Sequence, residues 1–128
     1  RDLRQIIVLD PSNADAMNAL GYTLADQTDR FDEALELISE ALRLKPDEPA
    51  FIDSMGWVLY RLERLDEALV YLERALDLFP NDEVAAHLGE GLWASGKTRQ
   101  AKRVWNASLV DFPESQYLKA VLKRFLDR

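Results

Sequence analysis

Side chains able to do chemistry are few in this chain. There is one histidine, His87, set between Ala86 and Leu88, and there is no cysteine. Disulfides, thiol nucleophiles and cysteine-held structural zinc are therefore excluded. A metal site would have to be assembled from carboxylates around the lone imidazole. The local pattern instead predicts a partly exposed histidine on a helix surface. Serines stand at 12, 39, 54, 95, 108 and 115, none in the Gly-x-Ser-x-Gly setting that presents a nucleophile. No glycine-rich phosphate loop is present. Glu33, Asp66 and Glu67 follow predicted turns, where the positive end of a helix dipole stabilises negative charge. The reading is a chain with no catalytic residue, no cofactor and no metal, and not an enzyme.

Binding chemistry is better represented. Asp53, Trp57, Tyr60 and Arg61 fall at i, i+4, i+7 and i+8, one stripe of a helix. The neighbouring stripe, Ile52, Met55, Gly56 and Leu59, already supplies an apolar face of period 3.6. The two rings are thus surplus to the core face of that helix. Trp and Tyr are rigid and amphipathic, and both are enriched where proteins grip partners.

The elements that must position this stripe lie between Pro49 and Pro80. Two amphipathic helices are predicted there, the second carrying Ala68, Leu72 and Ala75 with Leu69 and Leu76 beside them. Gly56, Ala68 and Ala75 are small enough to let two helix backbones approach. Pro80 ends the second helix, because a proline disfavours helix in the residue before it. One hairpin cannot bury both of its faces, and the chain supplies copies. Prolines recur at 11, 46, 80 and 113, glycines at 21, 56 and 89, and alanines at 34, 68 and 101. All three series keep a spacing of 33 to 35 residues. The predicted order is a half helix over residues 1–10, repeats over 11–46, 47–80 and 81–113, and a closing helix over 114–128. Asn13 or Asp15 is expected to cap the first repeat, and Gly96 to turn the third.

These markers resemble the tetratricopeptide repeat, whose pattern is Trp-x2-Leu-Gly-x2-Tyr, Ala-x3-Phe and Pro. The matching residues are Leu20-Gly21, Leu24, Ala34, Ile38, Ala41 and Pro46 in the first copy, and Met55-Gly56, Leu59, Ala68, Leu72, Ala75 and Pro80 in the second. The third has Leu88-Gly89, Leu92, Ala101, Trp105, Ser108 and Pro113. The leading Trp of the pattern is replaced by Met17, Ile52 and Ala85. The first copy carries one extra residue in the turn 25–30, and the third lacks one near 81–83. The resemblance implies an all-α, right-handed α-solenoid closed by a capping helix, with Trp105 in an aromatic core slot. It implies that residues 1–10 are the back half of a second helix in a longer array, and that the array ends near Arg128.

In that family the first helices line a concave groove. The groove residues implied here are Asn18 and Tyr22 in the first repeat, Asp53, Trp57, Tyr60 and Arg61 in the second, and Glu90 and Trp93 in the third. For Trp57 and Trp93 a second reading stands, packing between adjacent first helices. One subclass clamps the C-terminal carboxylates of chaperones with Lys and Asn. Only Asn18 could serve that purpose here, and Asp15, Asp53 and Glu90 place negative charge against it. The groove better suits a segment carrying Lys, Arg and apolar residues.

Composition sets outer limits. Nearly half of the 128 residues are hydrophobic, 30% are charged, and the net charge is −7. That balance disfavours a general nucleic-acid binder. The charge is uneven: residues 1–96 hold 8 Lys/Arg against 20 Asp/Glu, which gives −12, and residues 97–128 hold 8 against 3, which gives +5. The basic end, with Lys119, Lys123, Arg124 and Arg128, reads as a solvated helix face; binding of lipid headgroups or RNA there would show strong salt dependence. No apolar run approaches the ~20 residues of a membrane-spanning helix, so direct insertion by this segment is not expected.

The wording NALGYTLAD, DSMGWVLYRL and EVAAHLGEGLWASG is also similar to the C-terminal arrays of tetratricopeptide lipoproteins of Gram-negative bacteria. That resemblance implies a periplasmic location, tethered to the outer membrane, and a C-terminal-processing protease or its substrates as partner; without it the location would be cytoplasmic. The expected function is a non-catalytic scaffold holding a protein or peptide segment in the groove. The alternative is self-association, with Leu3, Ile6, Ile7 and Leu9 driving contacts. On the scaffold reading Trp57→Ala weakens partner binding with modest loss of stability, whereas Gly56→Leu overpacks the helix contact.

Overall fold

The computed structural model describes residues 2–126; Arg1 and Arg128, placed by the sequence reading in the first and last elements, lie outside the described residues. Among the described residues there are eight helices and no strand: α1 Leu3–Leu9, α2 Ala14–Gln27, α3 Phe31–Leu44, α4 Pro49–Arg61, α5 Leu65–Leu78, α6 Asp82–Ala94, α7 Thr98–Asp111 and α8 Gln116–Leu126. The fold is an all-α solenoid of stacked hairpins.

Local chemistry sets the helix ends. Asn13 caps α2 by accepting from the Ala16 amide at 2.9 Å, and Asn81 caps α6 through the Val84 amide at the same distance. Pro49 opens α4 at N1, where the missing N–H costs nothing. α1 opens on a capping box in which Asp2 and Gln5 satisfy each other's amides. The extra residue of the first repeat is absorbed by a longer α2, which has 14 residues against 13 in α4. Thr28 then closes the turn, its hydroxyl donating to the Leu24 carbonyl and accepting from the Arg30 amide. The two later turns use a left-handed residue after the helix, Glu63 (φ 62°) and Gly96 (φ 83°).

Hairpin mates α2 and α3, α4 and α5, and α6 and α7 make the main contacts. First helices also pack directly on one another, α2 on α4 and α4 on α6, whereas the backbones of α3, α5 and α7 stay apart among the described residues. The stack therefore curves toward α2, α4 and α6, which form its inner wall. α8 lies against α6 and α7, burying Leu118 and Val121.

Close approach is built in by glycine. A Cβ on Gly56 would sit 2.6 Å from Leu72 Cγ, and one on Gly89 would fall within the Trp105 indole. Trp105 is fully buried and donates to the Ala86 carbonyl at 3.2 Å. The main core cluster runs as a strip from Leu24 and Ile38 through Met55, Val58 and Leu72 to Trp105 and Val121, with smaller clusters around Phe51 and around Ile52 beside it. Such a strip, with each repeat resting on its neighbours, is what linear repetition produces.

Candidate functional site

The inner wall carries the predicted stripe, but its middle is closed. His87 is 5% exposed, not partly exposed as the sequence reading expects. Its Nδ1 lies 3.0 Å from Asp53 Oδ1, and its ring stacks on Trp57 with centroids 4.2 Å apart. A carboxylate can only accept, so Nδ1 carries a proton. Nε2 lies 3.3 Å from the Tyr22 hydroxyl, which donates to Glu83 Oε2 at 3.1 Å. Tyr22 belongs to the first repeat and His87 and Glu83 to the third. The curvature is tight enough for side chains of α2 and α6 to meet over α4. The burial of His87 has a simple reason: neighbouring first helices present positions about one period apart to each other, and Asp53 precedes His87 by 34 residues.

This contact perturbs the phenol. Burial first, then the negative charges of Glu83, Asp26 and Asp53, push the Tyr22 hydroxyl well above its ordinary pKa of 10.0.

Two open hollows flank the closed middle. The first, about 530 Å³, lies beside Asn18 and Tyr22 and is bounded by Glu48, Pro49, Phe79 and Glu83. The second, about 690 Å³, lies beside Trp57, Tyr60 and Arg61 and is bounded by Asp26, Glu90 and Arg124. Asn18, Tyr22 and Asp53 thus face one hollow, and Trp57, Tyr60, Arg61 and Glu90 the other. Trp93 lines neither. It stacks on Trp105 at 6.0 Å and meets Phe125 of α8 at 5.5 Å, which places it in packing between helices.

Several stripe residues also serve internal partners. Trp57 is 6% exposed, between His87 and Tyr60. Of the two readings open for Trp57, the geometry matches packing between first helices, with one edge on the second hollow; its Nε1 has no hydrogen-bond partner. Asp53 is committed to His87, and Glu90 to Arg124. Arg61 lies over the Phe31 ring at 5.2 Å. Tyr60 stays half-buried beside the second hollow. Glu48, Phe79, Glu83 and Arg124 were not legible as wall residues, since Glu48 and Phe79 are helix caps, Glu83 lies in the first turn of α6 and Arg124 is on α8. Among the described residues no group of three or more His, Asp or Glu converges as a metal site. The wall offers rings, carboxylates and two hollows.

A curved stack of helical hairpins repeating every 33 to 35 residues, with its rings and carboxylates on the inner wall, is a repeat scaffold. Two family models, each described as Tetratricopeptide repeat, match residues 1–49 and 50–82, together more than half of the chain. The chain belongs to the tetratricopeptide repeat family.

It is 58% identical over 90 residues to TPR repeat-containing protein PA4667 of Pseudomonas aeruginosa, a match covering 70% of this chain and 15% of that protein. It is 31% identical over 87 residues to Bacteriophage adsorption protein A of Escherichia coli, covering 68% of this chain and 9% of that protein. The chain therefore spans a small part of the length of these relatives. In fold it is similar to TTC0263, a thermophilic TPR protein of Thermus thermophilus, with TM-score 0.80 and 21% identity over 92% of this chain and 66% of that one. It is also similar to the first TPR of Spaghetti (RPAP3) bound to the HSP90 peptide SRMEEVD, with TM-score 0.75 and 19% identity over 90% of this chain and 91% of that one. Repeats of this family generally act as non-catalytic modules of protein–protein interaction.

Proposed function

We propose that this segment holds a protein or peptide partner along its inner wall without performing catalysis. The carrying observation is the pair of open hollows on that wall, which together border seven of the eight residues of the predicted stripe. The RPAP3 domain, similar in fold, is a precedent for a peptide ligand. The partner class we favour is a C-terminal-processing protease or its substrates, in a periplasmic protein tethered to the outer membrane. The support for that is the likeness of three repeat wordings to lipoprotein arrays.

The test uses a photo-crosslinking residue at Ala50 or Ala94, both exposed and each beside one hollow, with Val70 and Val110 on the second helices as controls. The reading expects one partner captured from the two hollow positions and lost with Tyr60→Ala. Capture from Val70 and Val110 alone overturns it.

A second reading, self-association, is favoured by α1, which buries no residue and leaves Val8 77% and Leu9 65% exposed. Light scattering across a concentration series separates the two. A mass that stays monomeric, or that grows equally in a Val8→Lys/Leu9→Lys variant, removes self-association through α1.

A further inference from the structure

We propose that the first hollow is a docking site for an arginine or lysine side chain of a partner segment, with an apolar neighbour seated beside it; the proposal rests on the inner-wall reading above. Three independent features of the cavity point the same way.

The first is Asn18, a half-buried lining residue whose Oδ1 has no hydrogen-bond partner within the chain, so that turning its amide toward the hollow offers an acceptor to a donor. An unmatched buried acceptor is a standing cost that a bound N–H removes. The second is that the ionisable walls are all of one sign. Glu48, Asp53 and Glu83 line the hollow, and among the described lining residues there is no Lys or Arg. Asp53 spends its charge on His87, but Glu48 forms no capping bond at the start of α4, and Glu83 accepts only the neutral phenol of Tyr22. Third, Phe79 follows α5 and stands 59% exposed at the rim, lining the cavity together with Pro49 and Val84. A ring face beside carboxylates attracts a cation and shelters its methylene stem. A guanidinium or ammonium entering here would donate to Asn18, neutralise Glu48 and Glu83, and lay its stem on Phe79. A carboxylate would meet negative charge and an acceptor.

The experiment is a 1H–15N NMR titration of the whole chain with three probes of one shape: N-acetyl-leucyl-arginine methylamide, its uncharged citrulline counterpart, and N-acetyl-leucyl-glutamate methylamide. The arginyl probe is expected to shift the Asn18 side-chain amide and the Ala50 and Phe79 backbone amides saturably. It should bind at least fivefold tighter than the citrulline probe and weaken as salt rises. Glu48→Gln, at an exposed position with no side-chain bond to lose, should weaken it severalfold. Asn18→Asp should strengthen it. Equal binding of arginyl and citrulline probes, preference for the glutamyl probe, or shifts confined to other parts of the chain each overturn the proposal. If the arginyl probe fails while a partner still crosslinks from Ala50 and Ala94, the inner-wall reading survives and this one falls. If the probe binds as described and crosslinks arise only from Val70 and Val110, the reverse holds.

Discussion

Replacing Trp57 by alanine tests whether the middle of the inner wall is packed or open. The side chain is 6% exposed and stacks between His87, at 4.2 Å, and Tyr60, at 4.9 Å. Truncating a buried tryptophan typically costs ~3–5 kcal/mol, the spread reflecting how far the site collapses. Two lost ring contacts push toward the upper end, each ~0.5–1.5 kcal/mol. The unpartnered Nε1 pushes the other way, since its removal relieves a buried donor worth ~1–3 kcal/mol. The balance is about 3 kcal/mol. With a urea dependence of ~1.5 kcal/mol per molar, the midpoint should fall by about 2 M. Urea unfolding at 25 °C followed by far-UV circular dichroism reads this directly, with m compared between variant and parent. A loss below about 1 kcal/mol would refute the packing argument, because it would mean that Trp57 projects into solvent as a free groove ring.

Other substitutions report on the same clamp. Tyr22 keeps its proton in the folded chain at pH values where the unfolded chain has lost it. The contribution linked to Tyr22 is therefore fully present below pH 10.0 and is lost as pH rises above that value; Tyr22→Phe should flatten this alkaline limb in pH-dependent urea melts. His87→Leu strands the buried Asp53 carboxylate and should cost about 3–5 kcal/mol, while Asp53→Leu/His87→Leu should recover more than half of that in the same melts. Gly89→Ala drives a methyl into the Trp105 ring and should cost about 3 kcal/mol in thermal or urea unfolding, although alanine is the better helix former.

The fold was legible because three residue types repeat together. Gly56 and Gly89 mark places where one helix backbone meets its hairpin mate, and Pro80 marks where a helix stops, so their shared period encodes the stack itself. Trp105 was legible through the family resemblance, which assigns it an aromatic core slot; the structure sets it against Gly89. The wall was legible in part. A helical period says that Asp53, Trp57 and Tyr60 share a stripe, but not how tightly successive stripes curve toward each other. That curvature decides whether Trp57 faces water or His87. It brings Tyr22 to Glu83 across an entire repeat, a separation of 61 residues that no local pattern encodes. Trp93 escaped for a related reason: whether it faced the groove depended on where α8 comes to rest, and α8 covers it with Phe125.

The account stands on inner-wall curvature tight enough for the first and third repeats to touch over the second. The most direct measurement is a nuclear Overhauser contact between the ring protons of Tyr22 and His87, whose centroids lie 6.0 Å apart, in the isotope-labelled chain. The account predicts that the contact is present, accompanied by contacts from His87 to Trp57, and that it persists when a partner is bound. Its absence in a chain whose helices are otherwise formed would show an open wall and contradict the account.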